Sequence, residues 1–265
     1  MAAATHPATA VEGTRISLAN CTVNGSLHIK ADNVASAATV YNGRVILNRD
    51  GYAAGSDSAG GNTFHKPVEL INSAGYDWGF GTKFRDTYKD SVRIVMNGNG
   101  QWLTPGSLRG GYFKIGLLNG STFEGPVRLE AGPDSNQIHI GSYGPTELLD
   151  AVDISGFESG DLVFSHSRFH DTWPSRTLVS AHPRMRLLLK DNCLFEGPVT
   201  IRVPRFGSNY TTFMKPAVIW KTGNGDDGSI GGNTFRQQVQ FKNTASSGKV
   251  HLLSGEDKLI DRVPQ

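Results

Sequence analysis

The densest collection of acid–base groups in this 265-residue chain is FESGDLVFSHSRFHDTWPSR, residues 157–176, which holds Glu158, Asp161, His166, Arg168, His170, Asp171 and Arg176. Carboxylates and imidazoles at this density could serve as general acid and base on a glycosidic bond, a reaction that needs two positioned carboxyl groups. On an extended strand, Asp161, Val163 and Ser165 share one face, and Leu162, Phe164 and His166 share the other. The competing reading is solvation. In a chain with 19% charged residues, loops collect such groups by default, and that reading is favoured. Catalysis by Glu158, Asp161, His166, His170 and Asp171, as a polysaccharide lyase or glycoside hydrolase, is kept as the alternative.

The remaining chemical candidates are weaker. Glu124 and Glu196 occupy equivalent positions in a repeated motif, but 72 residues part their anchors. At strand spacing that places them about 15 Å apart, beyond the roughly 5–9.5 Å a glycosidase uses. Asp226 and Asp227 sit in GNGDDGS, which lacks both the alternating acids and the closing Glu of a calcium loop. The histidines at 28, 65, 139 and 251 are isolated, and Cys21 and Cys193 have no partner at metal or redox spacing. Neither a metal nor a cofactor is expected. Aromatic residues outside the motif, Tyr76, Trp78, Trp102, Tyr112, Trp173 and Tyr210, are read as loop residues. They either present faces to a sugar or a protein partner, or pack loops down; packing is favoured for any one of them.

The elements that must carry these groups come from a repeat. Six segments share one nine-residue pattern: CTVNGSLHI from Cys21, NTFHKPVEL from Asn62, STFEGPVRL from Ser121, CLFEGPVTI from Cys193, TTFMKPAVI from Thr211 and NTFRQQVQF from Asn233. Weaker matches surround Phe84 and Phe169, and TVYNGRVIL from Thr39 and FESGDLVF from Phe157 are candidates for the gaps. Within each unit a small residue precedes the anchor by two, and the anchor is phenylalanine in five of the six and Val23 in the first. Apolar residues follow the anchor by four and six, as in Val68 and Leu70 or Val127 and Leu129, with Glu69 or Arg128 between them. That alternation is a strand with one buried face. Proline three after the anchor suits the first position of such a strand, because it has no amide hydrogen to pair.

Anchor spacings cluster near about 20 residues or twice that, as expected of a parallel β-solenoid whose coils cannot bury their apolar faces alone. The expected fold is an all-β, single-stranded, right-handed parallel β-helix over residues 14–265, preceded by a flexible segment, residues 1–13. It would make roughly 12 or 13 coils and a rod on the order of 60 Å long. PTELLDAV, residues 145–152, is the one predicted helix. No capping segment stands at either end, which predicts self-association or neighbouring repeats at open strand edges.

KIGLLNGSTFEGPVRLE, residues 114–130, and residues 221–253 resemble the repeat arrays of very large exported cell-surface proteins of Bacteroidetes, with their Asn-Gly-Ser-Thr-Phe-Asn-Gly and Ser-Gly-Gly-Asn-x-Phe-Asn-Gly units. The resemblance implies an extracellular or cell-surface scaffold or adhesive rod, and no catalytic residue transfers with it. This chain departs from the arrays at the residues after the aromatic, such as His65-Lys66 and Arg236-Gln237, and in its less regular spacing. A formal net charge of +2 gives no reason to expect nucleic acid, and no apolar run is long enough to span a membrane. The partners that the open edges and the resemblance imply are another repeat, a surface protein or a polysaccharide. The opening MAAATHPATA has no apolar core, so no export signal is visible.

Overall fold

In a computed structural model, described over residues 9–51, 58–74, 77–98, 112–116, 118–133, 136–174, 176–248 and 256–260, the chain is all-β, and the described residues include no helix. Its strands form four parallel sheets of seven, six, eleven and four strands. Every pairing is parallel, which is compatible with the β-solenoid expected.

The eleven-stranded sheet collects the anchors. Its strands are two or three residues long, from Thr22–Val23 to Lys258–Leu259, and at ~4.8 Å per step they extend about 50 Å. Equivalent positions pair directly: Tyr41 with Phe64, Phe64 with Tyr88, Tyr88 with Phe123, and later Phe169 with Phe195 and Phe195 with Phe213. In-register pairing stacks the rings. Centroids lie 4.7, 5.0 and 4.7 Å apart from Tyr41 through Phe123, and 4.2, 5.1 and 5.0 Å apart from Phe169 through Phe235, with planes within 7° of parallel. Leu148 separates the two stacks.

After the anchor the chain turns into a second strand, of five residues in most units. These strands form the seven-stranded sheet up to Val152–Asp153, and the four-stranded sheet from Thr177–Val179 to Val239–Asn243. Val68 and Leu70, Val92 and Ile94, and Val199 and Ile201 point into the core, as the alternation requires. The prolines open these strands, where their carbonyls still pair: Pro67 and Pro126 accept from the N–H of Val45 and of Val92. The six-stranded sheet, from Trp78–Phe80 to Arg205–Ser208, closes the core with Phe80, Phe113, Ile138, Phe164 and Leu187.

The small polar position two before the anchor forms a buried column. Asn62 and Asn233 repeat one arrangement. Each Oδ1 accepts from a serine hydroxyl, Ser36 at 2.8 Å or Ser208 at 2.7 Å, and from the N–H of Thr39 or Thr211. Each Nδ2 donates to an aspartate of the next strand, Asp86 at 2.9 Å or Asp257 at 3.0 Å. Cys193 occupies the same column, fully buried, and burial pushes its thiol up to about 12.

Several expectations are corrected. Residues 145–152 are not helical: Thr146–Leu148 and Val152–Asp153 are strands, so TELLDAVDI is a further unit with Leu148 as its anchor. Phe84 is not an anchor. It is 60% exposed, and Tyr88 fills the column from the strand Asp86–Tyr88. The segment at 157–164 supplies no anchor strand, because Ser159–Ser165 belongs to the six-stranded sheet. Finally, the strand Thr9–Ala19 begins inside the segment expected to be flexible and pairs with Leu27–Ala37.

Candidate functional site

The structure places one of the five acid–base candidates, Asp161, on a strand and the other four in the links beside strands of two sheets. Asp161 points outward from Ser159–Ser165 and accepts from Arg186 of the next strand, at 2.8 Å from Nε and 2.5 Å from Nη2. Glu158 is exposed just before that strand. Val163 and Ser165, predicted to share Asp161's face, are buried. Beside them His139 bonds the Ser165 hydroxyl at 3.0 Å, and burial, reinforced by Lys190, lowers its imidazole to about 4. His166 leaves the strand in a left-handed turn, φ 48°. It therefore does not continue the face of Leu162 and Phe164.

His170 stands one residue past the anchor Phe169, beside the eleven-stranded sheet. Its Nε2 lies 2.6 Å from Glu147 and its Nδ1 3.4 Å from Glu196, each from a neighbouring strand. Arg168 holds Glu196 at 2.5 and 3.0 Å. Asp171 is exposed, and its backbone carbonyl accepts from Arg176. Asp161 and His170 are thus each tied to a different set of neighbours, and no described residues form a cluster of three or more metal-binding side chains.

The aromatic candidates also separate. Trp78 is 1% exposed on a strand of the six-stranded sheet, donates from Nε1 to the Val34 carbonyl at 3.0 Å and stacks on Phe113 at 4.8 Å. Trp173 is 2% exposed and packs against Phe169 and Phe195. Neither is a loop residue offering a face to solvent. Tyr210 is exposed, in a left-handed turn, and Tyr112 opens the strand Tyr112–Ile115. Tyr76 and Trp102 lie outside the described residues.

The outer face of the seven-stranded sheet carries a ladder of ion pairs. Glu69 meets Arg44 at 2.5 Å and Arg93 at 2.9 Å; Arg93 meets Glu130 at 2.6 Å; Arg128 meets Glu130 at 2.5 Å and Asp153 at 3.9 Å. Burial raises the Glu69 carboxyl, but bonds from Arg44 and Arg93 outweigh it and hold the group below its usual range. A groove of about 500 Å³ follows this ladder, with Pro67 and Pro126 among its lining residues.

The outer face of the four-stranded sheet is different. One column reads Val179, Arg202, Trp220, Lys242, and the other Thr177, Thr200, Val218, Gln240, each residue directly paired with the next. Neither column contains a carboxylate. The Arg202 guanidinium lies 4.4 Å from the Trp220 ring centroid and the Lys242 ammonium 5.4 Å from it, one from each neighbouring strand. Trp220 donates from Nε1 to Thr244 Oγ1 at 2.8 Å, which fixes the ring. The reading of the sequence passed over this trio, yet all three residues stand seven after their anchors, Phe195, Phe213 and Phe235. Stacking the repeats column by column would have found it. Protein-family models, curated proteins and solved structures, compared with the chain, return no match.

Proposed function

We propose that the chain is a non-catalytic scaffold or adhesive segment of an exported surface protein, folded as a right-handed β-solenoid with coils of about 20 residues. The observation that carries this reading is where the acid–base groups go. Glu69, Glu130, Asp161 and Glu196 are each held by an arginine of a neighbouring strand, so their chemistry joins strand to strand. A general acid or base needs a proton it can exchange with substrate, and a carboxylate clamped by a guanidinium is a poor one. The resemblance to large surface repeat arrays supports the same reading.

End-to-end association follows from the sheet edges. Among the described residues Thr9–Ala19 borders the seven-stranded sheet and Val239–Asn243 the four-stranded sheet, and a bordering strand is where another copy or a neighbouring repeat would add its own. Two measurements test the proposal. Sedimentation over a hundredfold concentration range should show growing assemblies, and a strict monomer throughout would overturn self-association. A reducing-end assay over acidic and neutral polysaccharides should show no turnover. Turnover abolished by Asp161→Asn or Asp171→Asn would replace the scaffold with an enzyme.

A further inference from the structure

We propose that the outer face of the four-stranded sheet binds a linear polysaccharide bearing carboxylates, a uronate polymer, with Arg202 and Lys242 as its anion contacts. This names a ligand for the adhesive reading above and rests on it. The first support is charge. Neither Arg202 nor Lys242 makes an ion pair with a described residue, and both are exposed. On the seven-stranded sheet, by contrast, Arg93 is held by two carboxylates. Between residues 197 and 250 the only acids are Asp226 and Asp227. Two exposed cations without an acidic partner among the described residues, on columns without acids, make this face electropositive and complementary to an anionic ligand.

The second support is geometry. Arg202 and Lys242 flank Trp220 on the strands either side, so the two charges are two strand spacings apart, about 10 Å. The fixed indole holds both side chains upright by cation–π contact, which lowers the ordering cost of meeting a ligand. Anions repeating along an extended chain can meet both cations at once, and a guanidinium fork matches a carboxylate in two parallel hydrogen bonds. Thr177, Thr200 and Gln240 in the adjacent column supply the donors and acceptors that sugar hydroxyls require.

Other polyanions fit less well. Single-stranded nucleic acid uses open aromatic faces for its bases, and here cations approach the Trp220 ring from both neighbouring strands. A second copy of this chain is also a poorer occupant, because the carboxylates of its seven-stranded ladder are already paired and its exposed acids, such as Glu158 and Asp171, stand singly and not as a repeating row.

The test titrates the full chain with polygalacturonate, followed by calorimetry and tryptophan fluorescence. Saturable binding that weakens with salt is expected. Arg202→Gln combined with Lys242→Gln should weaken it by about tenfold or more, the scale of hydrogen bonds to charged groups. Arg44→Gln, on the other sheet, should leave affinity within about twofold, as expected of a charge far from the contact. Fully methyl-esterified polymer should not bind. No binding of the acid form, unchanged affinity in the double variant, or equal affinity for the methyl ester, dextran sulfate or single-stranded DNA would each overturn the proposal. Because sedimentation tests the scaffold separately, loss of polysaccharide binding leaves that reading standing.

Discussion

The seven-stranded and four-stranded sheets are built from the same unit, yet they treat charge in opposite ways. Along the first, Arg44 meets Glu69 and Arg93 bridges Glu69 and Glu130 across neighbouring strands, while Arg128 meets Glu130 on its own strand and Asp153 on the next. Along the second, Arg202 and Lys242 make no ion pair among the described residues and lie over Trp220. Inside, the two regions are alike: each has a stack of four rings, Tyr41 to Phe123 and Phe169 to Phe235, and each has the serine–threonine–asparagine–aspartate frame around Asn62 or Asn233. The unit fixes what faces inward and leaves the outer columns free to differ. A shared interior with a divergent exterior is what a scaffold with one specialised face requires.

If the interiors are equivalent, removing a ring from either stack should cost the same. Phe64→Ala and Phe195→Ala each delete a fully buried ring between two stacked neighbours. Each should destabilise the chain by about 3–5 kcal/mol, measured by urea unfolding. A loss confined to one variant would show that one stack alone supports the fold.

A difference inside the two frames gives the next effect. Asp86 is fully buried while Asp257 is partly exposed. Burial pushes the Asp86 carboxyl up to about 7, against hydrogen bonds from Asn62 and Gly61 that favour the anion. In the unfolded chain it ionises near pH 4. The folded state therefore binds this proton more tightly, and the associated stability is full below about pH 4 and lost as the pH rises through about 7. The size is on the order of 4 kcal/mol at most. His139, lowered to about 4, acts oppositely, since its contribution is lost as the pH falls below about 6.5. The diagnostic is thus the stability of the native chain minus that of Asp86→Asn, which should decline between pH 4 and 7. A flat difference would mean that Asp86 is already accommodated as an anion.

How much of this could be read in the sequence follows from which contacts are local. The nine-residue unit was legible because its apolar alternation and proline recur with little change, and it located the core positions of the anchor and second strands. Where the anchor is not phenylalanine, the pattern misled. Tyr88 was passed over for the nearby Phe84, and Leu148 was absorbed into a predicted helix, although both complete the unit with Val92 or Val152 four residues on. The six-stranded sheet was invisible because loops of unequal length precede its strands, so Trp78 was taken for an exposed loop residue although it stacks on Phe113. The acid–base cluster misled for a related reason. Proximity in sequence suggested one site, whereas the topology sets Asp161 on the six-stranded sheet and His170 just past a strand of the eleven-stranded sheet.

The smallest effects test the contrast of exteriors. Arg93 bonds Glu69 at 2.9 Å and Glu130 at 2.6 and 3.1 Å, and its side chain is 41% exposed, so solvent screens much of the interaction. Arg93→Gln should cost about 1 kcal/mol at low salt and less at high salt. Arg202→Gln removes only a cation–π contact at an exposed site and should cost about 0.5 kcal/mol. It also relieves like-charge repulsion with Lys242, two strands away, so its cost should grow with added salt where that of Arg93→Gln shrinks. Urea unfolding of both variants at two salt concentrations reads the opposite trends. If both costs fall together as salt is raised, Arg202 is held by a carboxylate as Arg93 is, and the two faces do not differ in the way their columns imply.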